Sequence, residues 1–520
     1  MIGKIYQCNP LLALDCPDPD VIRVGDTYYM VCTTMHFMPG GEILRSYDLV
    51  HWEHVTYIFD ELEITEQQML ENGQNAYGKG MWAASIRYHK EQFFVCFVAN
   101  DTGKTYLFTT KDIEGEWKRR EIEGFYHDCS LLFDDDDKVY IAYGNKYIYI
   151  TQLTEDLSGP MPGGFHRMVV SDEGNQMLGY EGTHFYKINS KYYLFFIHSK
   201  REEWKRVEAC FMASSLTDEF VGMDIMDDDM GYCNQGVAQG GIVDTPDGKW
   251  YSILFQDRGA VGRIPVLVPV TWENDFPVFG ERGHVPRAFI TPQEKKKSLC
   301  SLLIESDDFK EIKMESEKEQ KRRYGSFGFK SCWQFNHIPD TSLITWDKIV
   351  GSVSVRTNTV CQNLLQARNT FTQRMHYPAC MGEITLEATK MKEGDYAGLC
   401  ILQGCYCMVA ITKRENQYAL VMRSKEAQKD TELELEVTPM ENDVVRLGIR
   451  AEFTNMTDTA EMYYYTGEEW KQIGKMHKLR FDLEHFTGAR FGLFYYATKE
   501  YGGSVTFRDF KYKKEKEIEI

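Results

Sequence analysis

Short apolar runs alternating with polar turns dominate the first half of the chain. One pattern occurs five times: an apolar strand, a polar turn, and an aromatic pair that opens a second apolar strand. Because turn-forming residues interrupt two strand-like runs, each copy predicts a β-hairpin. The five copies are Val21–Thr34, Ile86–Val98, Leu131–Tyr143, His184–His198 and Ile242–Gln256.

The spacing between the copies leaves room for one four-stranded sheet each. Five similar sheets in series predict a five-bladed β-propeller over residues 1–293. No long stretch of helical periodicity interrupts them. A β-sandwich is the alternative for this region, but it does not explain why every copy carries the same hairpin.

The second half has a different pattern. Residues 294–326 are rich in Lys and Glu and predict a charged linker. Aromatic and alternating runs return over residues 327–520 without the hairpin repeat. Three of them, at 382–388, 396–402 and 490–496, predict antiparallel strands of a second, all-β domain.

Length and charge limit the possible partners. A chain of 520 residues is long enough for two domains. Its net charge of −19 argues against a nucleic acid or an acidic membrane surface as partner. The 31 Tyr, 30 Phe and 9 Trp favour strands, and aromatic rings can also stack on sugars. The sequence leaves the oligomeric state open and is compatible with a homo-oligomer.

The 14 cysteines form neither a CxxC pair nor a zinc-type spacing. Cys405 and Cys407 lie in an apolar run and predict packed thiols. The N-terminal segment has no apolar signal core, and no run approaches the roughly 18 apolar residues of a spanning helix. These features predict a reduced, cytoplasmic protein.

The residue that starts each repeat carries the candidate chemistry. Aligning the hairpins on their aromatic pairs makes five positions equivalent. In a propeller the inner strands converge on the axis, so we expect these side chains to face one another. Three of the five are carboxylic acids, in the set Asp18, Ala83, Asp128, Glu181 and Gln239.

Converging carboxylates raise one another's pKa and have little structural use. Inverting glycoside hydrolysis does use them: one acid protonates the leaving oxygen, and one carboxylate about 6.5–9.5 Å away activates water. A turn role for Asp18, which precedes a proline, is the alternative. The acidic run Asp134–Asp137 is interpreted as a solvated turn, so no metal site is predicted.

The chain resembles glycoside hydrolase family 43, the inverting β-xylosidases and α-L-arabinofuranosidases. The resemblance lies in CPDPDVIRVGDTYYMV, MWAASIRYH, HDCSLLFDDDDKVY, YEGTHFYKINSKYYL and GGIVDTPDGKWYSILFQDRGAVGRIPVLVPV. It implies a five-bladed propeller. It also implies that Asp18 is the general base, Glu181 the general acid, Asp128 the residue that tunes and orients the acid, and Arg263 a substrate ligand.

The same resemblance implies further binding residues. Trp82 stands in Trp-Ala-Ala where the family has Trp-Ala-Pro, and it is expected near the sugar. Phe37 is expected as an aromatic wall and His36 as a hydroxyl partner. Gln239 stands where many members have a His that helps to hold a central calcium or water, so an axial calcium is doubtful and no cofactor is predicted.

The C-terminal half resembles the concanavalin-like β-sandwich of longer family members, in which one loop approaches the propeller mouth. The resemblance implies an exo-acting enzyme that releases terminal α-L-arabinofuranosyl or β-D-xylosyl residues from hemicellulose oligosaccharides, with a slight preference for arabinofuranose. Two alternatives are a β-xylosidase-dominant enzyme and a non-catalytic carbohydrate-binding propeller.

Overall fold

The computed structural model describes residues 4–6, 9–292, 302–426, 429, 431–481 and 487–518. Its N-terminal half contains five four-stranded antiparallel sheets, each made of four consecutive strands. The predicted five-bladed propeller is therefore confirmed. Its strands are β1 (Lys4–Tyr6), β2 (Asp20–Val24), β3 (Thr27–Cys32), β4 (Gly40–Ser46), β5 (Trp52–Phe59), β6 (Ser85–His89), β7 (Gln92–Ala99), β8 (Lys104–Thr110), β9 (Lys118–Ile122), β10 (Ser130–Phe133), β11 (Val139–Asn145), β12 (Tyr147–Leu153), β13 (His166–Ser171), β14 (Glu181–Ile188), β15 (Lys191–Ser199), β16 (Arg206–Ala213), β17 (Val221–Met226), β18 (Ile242–Asp244), β19 (Trp250–Asp257), β20 (Arg263–Glu273), β21 (Phe276–Phe279) and β22 (Phe289–Thr291).

Blades 1 to 5 are β2–β5, β6–β9, β10–β13, β14–β17 and β18–β21, and a short helix α1 (Glu66–Met69) follows the first. The predicted hairpins join the two inner strands of each blade. Both turn residues have positive φ at Lys90-Glu91 and at Asn189-Ser190. This geometry matches the twist of the flanking strands and needs only two residues.

Apolar side chains between neighbouring blades form the propeller core. Blade 5 packs against blade 1 through Tyr28, Leu44, Ile253 and Leu267, all at most 2% exposed. This contact closes the circle of blades. β1 also pairs with β22, which joins the first described strand to the end of the propeller.

The C-terminal half is a sandwich of two seven-stranded sheets, with orders β23-β26-β35-β28-β29-β30-β31 and β24-β25-β36-β27-β32-β33-β34. Its inner faces share one apolar core that includes Ile384, Leu399 and Phe491. The strands are β23 (Gln334–Phe335), β24 (Ile344–Asp347), β25 (Ser352–Arg356), β26 (Phe371–Arg374), β27 (Ala379–Lys390), β28 (Asp395–Leu402), β29 (Tyr406–Arg414), β30 (Gln417–Lys425), β31 (Leu433–Met440), β32 (Val444–Glu452), β33 (Thr459–Tyr465), β34 (Trp470–Lys478), β35 (Arg490–Ala497) and β36 (Ser504–Lys514).

The charged segment between the domains is packed where it is described. The helix α2 (Glu317–Arg323) begins with a capping box at Ser316. Ile304 and Phe309 join the sandwich core, and Glu305 forms an ion pair with Arg323. The predicted boundary at residue 293 lies outside the described residues.

Cys16 and Cys32 form a disulfide between the segment before β2 and the end of β3. The expectation of reduced thiols throughout the chain is therefore wrong for this pair, while Cys407 is a buried free thiol. Within the described ranges, no helix has the length and apolar character needed to cross a membrane.

Candidate active site

The innermost strands bring one residue from each blade to a buried ring on the propeller axis. One hydrogen bond recurs between neighbouring blades: Asp20 Oδ2 accepts from Ile86 N (2.8 Å), Ser85 Oγ from Leu131 N (3.2 Å), and Ser130 Oγ from Phe185 N (2.9 Å). Each donor, Ile86, Leu131 or Phe185, directly follows Ser85, Ser130 or His184 in the chain. Asp20, Ser85, Ser130 and His184 are therefore structurally equivalent. Gly241 completes the ring in blade 5, since a Cβ there would lie 3.0 Å from His184 Nδ1 and 3.1 Å from Asp20 Oδ1. The ring is formed by Asp20, Ser85, Ser130, His184 and Gly241.

Arg87 balances the charge inside this ring. Its guanidinium donates to Asp20 Oδ2 (2.7 Å) and to Ser130 Oγ (2.6 Å), and His184 Nδ1 lies 3.1 Å from Asp20 Oδ1. Burial opposes the charged carboxylate, but Arg87 and His184 outweigh it and lower the pKa of Asp20. We call Asp20, Ser85, Arg87, Ser130 and His184 the axial clasp.

A second ring lies two residues earlier on the same segments. Asp18, Asp128, Gly182 and Gln239 share a left-handed backbone, with φ of 52°, 47°, 66° and 55°. Such values are uncommon for residues other than glycine. The predicted equivalence holds for Asp18, Asp128 and Gln239, but the blade-4 member of this set is Gly182 and not Glu181.

A β-bulge explains this correction. Glu181 pairs with Ile197 and His184 pairs with Phe195, so three steps on β14 match two steps on β15. The extra residue moves Glu181 one position ahead of the ring. Gly182 permits the bulge, since a Cβ there would approach the Gln239 side chain to 2.5 Å.

Asp18 is held on the blade-1 side of the pocket. Its side chain is only 6% exposed. One carboxylate oxygen accepts from Thr33 Oγ1 (2.7 Å) and the other accepts from Arg263 Nη1 (2.8 Å). The arginine on β20 thus balances the buried charge of Asp18 across the closure between blades 1 and 5.

Asp128 and Glu181 lie together on the opposite side with His127. Asp128 Oδ2 accepts from Gly182 N (3.0 Å), and Glu181 Oε2 accepts from Asn145 Nδ2 (2.5 Å). His127 Nε2 lies 3.6 Å from Asp128 Oδ2 and 4.0 Å from Glu181 Oε2. We call Asp18, Asp128 and Glu181 the acid ring.

The electrostatics of this side are unlike those of the axial clasp. Burial raises the pKa of Asp128 to about 6, with the Glu181 and Asp18 carboxylates adding to the rise and His127 opposing it. Burial disfavours a charged His127, but Asp128 and Glu181 outweigh it and raise the histidine pKa to about 9. Coupled ionisable groups of this kind are typical of catalytic sites.

The acid ring lines a cavity of about 270 Å³ at the propeller mouth. Of the five further residues expected to bind substrate, the structure places Trp82, Gln239 and Arg263 on the cavity wall. The complete lining is Asp18, Met35, Trp82, Ala83, His127, Asp128, Asn145, Leu178, Glu181, Arg206, Gln239 and Arg263.

Phe37 and His36 are not among the described residues of this wall. They are 2% and 1% exposed, respectively. The Arg490 guanidinium lies 3.6 Å from the centre of the Phe37 ring, and His337 packs on His36 with ring centres 5.0 Å apart. Both partners belong to the C-terminal half, so the domain contact covers these two residues and leaves Met35 at the cavity.

Sequence reasoning missed several lining residues. His127 had a signal, because it directly precedes an acid of the ring. Asn145 is the last residue of β11 and Arg206 is the first residue of β16. Neither occupies the position at the start of a repeat, so the repeat pattern did not identify them. Arg206 forms an ion pair with Asp257, whose other oxygen lies 3.7 Å from Arg263 Nε. Two guanidinium groups around one carboxylate therefore form the part of the cavity wall where blades 4 and 5 meet.

A loop of the sandwich supports this side. Asp15 is fully buried and accepts from Arg263 N (2.8 Å) with one oxygen and from Gly488 N (2.9 Å) with the other. Ala489 N donates to Ala260 O (2.8 Å) in the turn before Arg263. The loop before β35 thus holds the backbone of the arginine that contacts Asp18.

Comparison with known proteins agrees with this site. The family described as Glycosyl hydrolases family 43 matches residues 7–277, and the Beta xylosidase C-terminal Concanavalin A-like domain matches residues 326–513. The chain is 29% identical over 425 residues to a putative beta-xylosidase of Xylanibacter ruminicola, covering 76% of this chain and 71% of that protein.

Two further relatives extend the comparison. A non-reducing end alpha-L-arabinofuranosidase of Bacteroides ovatus is 27% identical over 304 residues, 55% of each chain. A solved structure described as a bifunctional GH43-CE protein of Bacteroides eggerthii superposes with a TM-score of 0.89 at 38% identity. It covers 98% of this chain, which spans 64% of that longer protein. The chain therefore belongs to glycoside hydrolase family 43 and is a two-domain glycosidase.

Proposed function

We propose that the cavity hydrolyses one terminal pentose at a time, by a single displacement with inversion. Asp18 removes a proton from the attacking water, and Glu181 protonates the departing glycosidic oxygen. The observation that carries the proposal is the division of the acid ring. Asp18 lies against the Arg263 cation, whereas Glu181 lies across the cavity beside a second carboxyl group.

Asp128 positions the acid in this mechanism. It accepts from the backbone N–H of Gly182, the residue that creates the bulge, and so fixes the place of Glu181. Its pKa of about 6 makes its charge sensitive to pH near neutrality. Carboxyl oxygens of Asp128 and Glu181 lie within 4.8 Å of each other, so Asp128 is close enough to orient the acid.

The size of the cavity supports exo action. Its volume of about 270 Å³ lies just below the range of about 300–1,000 Å³ that is common for small-molecule pockets. Such a space fits one monosaccharide better than a chain of sugars. Arg263 and Arg206 offer planar donors that can bond neighbouring hydroxyl groups of that sugar.

The sugar we propose is a terminal α-L-arabinofuranosyl or β-D-xylosyl residue of a plant hemicellulose fragment, such as one derived from xylan. Relatives named for both activities support this choice, and we favour arabinofuranose. The alternatives are a β-xylosidase-dominant enzyme and a carbohydrate-binding propeller without turnover. The raised pKa values of Asp128 and His127 argue against a propeller that only binds carbohydrate, since binding without turnover has no use for perturbed ionisable groups.

The described axial residues do not fit a calcium ion. The carboxylate that would bind it, Asp20, is already bonded to the permanent cation of Arg87. His127, Asp128 and Glu181 lie within ligand reach of one another, but Glu181 Oε2 already accepts from Asn145 and Asp128 Oδ2 from Gly182 N, and the proposed mechanism uses both carboxyl groups. We therefore assign no metal or organic cofactor to the proposed reaction.

The test is hydrolysis of aryl α-L-arabinofuranoside and aryl β-D-xyloside by the wild type, Glu181→Gln and Glu208→Gln. Glu208 is a matched control: it is fully buried, burial raises its pKa, and it accepts from Gln239 N (2.6 Å) behind the cavity wall. Substrates with better leaving groups need less acid assistance, so the unactivated disaccharides are measured as well.

We expect Glu181→Gln to lose about 10²–10⁴ of the rate and Glu208→Gln to stay within about threefold. The ratio of the two wild-type rates identifies the preferred sugar, and proton NMR of the first-formed anomer reports inversion. A wild type inactive on both sugars would overturn the pentosidase proposal. Equal losses in the two variants would remove the acid role from Glu181.

A further inference from the structure

The strand register of blade 4 places a loop at the face of the propeller that carries the cavity. Glu181 begins β14 and pairs with Ile197 near the end of β15, and Ser199 then pairs with Arg206 at the start of β16. The intervening loop, residues 200–205, therefore leaves the blade at the same face as Glu181. The turn at Asn189-Ser190 lies at the opposite end.

This loop presents a tryptophan beside the cavity. Trp204 is 36% exposed, and the guanidinium carbon of Arg206, which lines the cavity, lies 5.8 Å from its ring centre. Tryptophan is enriched at binding surfaces, where its ring offers a large apolar face and its N–H a polar tip. Indole faces suit sugars because the C–H face of a pyranose ring packs on them.

The loop is held in place by contacts at both ends. Lys200 N donates to Lys205 O (3.0 Å), and Lys205 Nζ lies 2.7 Å from Asp227. Asn234 Nδ2 donates to the carbonyl oxygen of Trp204 (3.4 Å). A ring whose backbone is already fixed loses little conformational freedom on binding a ligand.

A second apolar group lies on the same blade. Ser199 and Leu178 exchange two hydrogen bonds, from Ser199 N to Leu178 O (2.9 Å) and from Leu178 N to Ser199 Oγ (3.0 Å). Leu178 lines the cavity, and its neighbour Met177 is 45% exposed. The rim next to Glu181 thus offers both an indole ring and a thioether.

We propose that Trp204 forms the binding platform for the first sugar of the leaving group, a neutral pyranosyl unit of the polysaccharide backbone. This inference rests on the proposed function. The cavity takes the terminal sugar, and Glu181 protonates the oxygen on its outer side. We place the next sugar at the blade-4 rim, where Trp204 lies, because Glu181, which protonates the oxygen joining the two sugars, begins β14 of that blade.

The test compares two substrates that share the cleaved sugar. The glycosyl fluoride of the preferred pentose has nothing beyond the cleaved bond, whereas the matching oligosaccharide extends across the rim. Because loss of the ring at Trp204 also removes a neighbour of Arg206, the informative quantity is the ratio of kcat/KM for the oligosaccharide to that for the fluoride.

We expect Trp204→Ala to lower this ratio about tenfold and Trp204→Phe to lower it about threefold. Tyr88→Ala is the control, since Tyr88 is 40% exposed at the opposite end of blade 2. A ratio in Trp204→Ala equal to that of the wild type would overturn the platform. A wild type that hydrolyses neither substrate would overturn the proposed function, and the platform with it.

Discussion

Asp18 and Asp128 of the acid ring lie two residues before Asp20 and Ser130 of the axial clasp, yet the two clusters are opposite in electrostatic design. In the clasp, Asp20 meets a guanidinium and an imidazole, and its pKa is lowered. In the acid ring, Asp128 is buried near two other carboxylates, and its pKa is raised to about 6. One repeat therefore supplies both a stabilising layer and a reactive layer.

The difference shows how a propeller can hold a site whose buried charges reduce its stability. Buried, imperfectly balanced charges reduce stability, and proteins tolerate them where they serve function. The hydrogen bonds of the clasp join successive blades directly beneath the acid ring. The backbone that holds Asp18 and Asp128 in left-handed conformations is thus fixed by residues that take no part in the proposed chemistry.

The largest effect is expected for Asp18→Asn. The amide keeps the shape of the side chain but cannot take a proton from water, so kcat should fall about 10²–10⁴. Thermal unfolding is measured beside it: the amide leaves the buried Arg263 cation without the paired charge of Asp18, so a loss of up to about 3–5 kcal/mol is expected, and kcat is compared at a temperature where both proteins are folded. Retention of more than a tenth of the wild-type kcat would contradict the assignment of Asp18 as base.

Arg87→Met should affect stability and not chemistry. It leaves the Asp20 carboxylate buried without its main partner, and removing one partner of a buried pair costs about 3–5 kcal/mol. Urea unfolding of the full chain measures the loss, with the exposed Arg120→Met as a control expected within about 0.5 kcal/mol. If Arg87→Met unfolds like the wild type, the clasp is not a stabilising layer.

His127→Asn should move the pH dependence by a smaller amount. The cationic histidine opposes the rise in the pKa of Asp128, so its removal raises that pKa further above about 6. The acid limb of kcat/KM should shift upward by about one pH unit. The matched change His166→Asn, on an exposed outer strand, should leave the profile in place. If the pH profiles of His127→Asn and the wild type superimpose, His127 does not influence the ionisation of the acid ring.

The sequence predicted the fold and the acids because both depend on the repeat. The hairpins recur with turn residues at fixed places, and Asp18 and Asp128 precede two of them. Glu181 was identified, but its bulge was not, because one extra residue changes no hydrophobic pattern. Nothing local to His36 and Phe37 reveals that the C-terminal domain covers them, because their partners His337 and Arg490 lie about 300 and about 450 residues further along the chain.

The opposite design of the two rings is tested most directly by thermal unfolding of Asp20→Asn and Asp128→Asn at pH 8. Folding raises the pKa of Asp128 above the value of an unfolded aspartate. The folded state is therefore most favoured when Asp128 is protonated, at a pH below the unfolded pKa, and it loses this stability as the pH rises through about 6. The lowered pKa of Asp20 means that its charged form favours folding at pH 8. The account predicts that Asp128→Asn stabilises by about 1–2 kcal/mol and that Asp20→Asn destabilises by about 3–5 kcal/mol. Shifts of the same sign in both variants would contradict it.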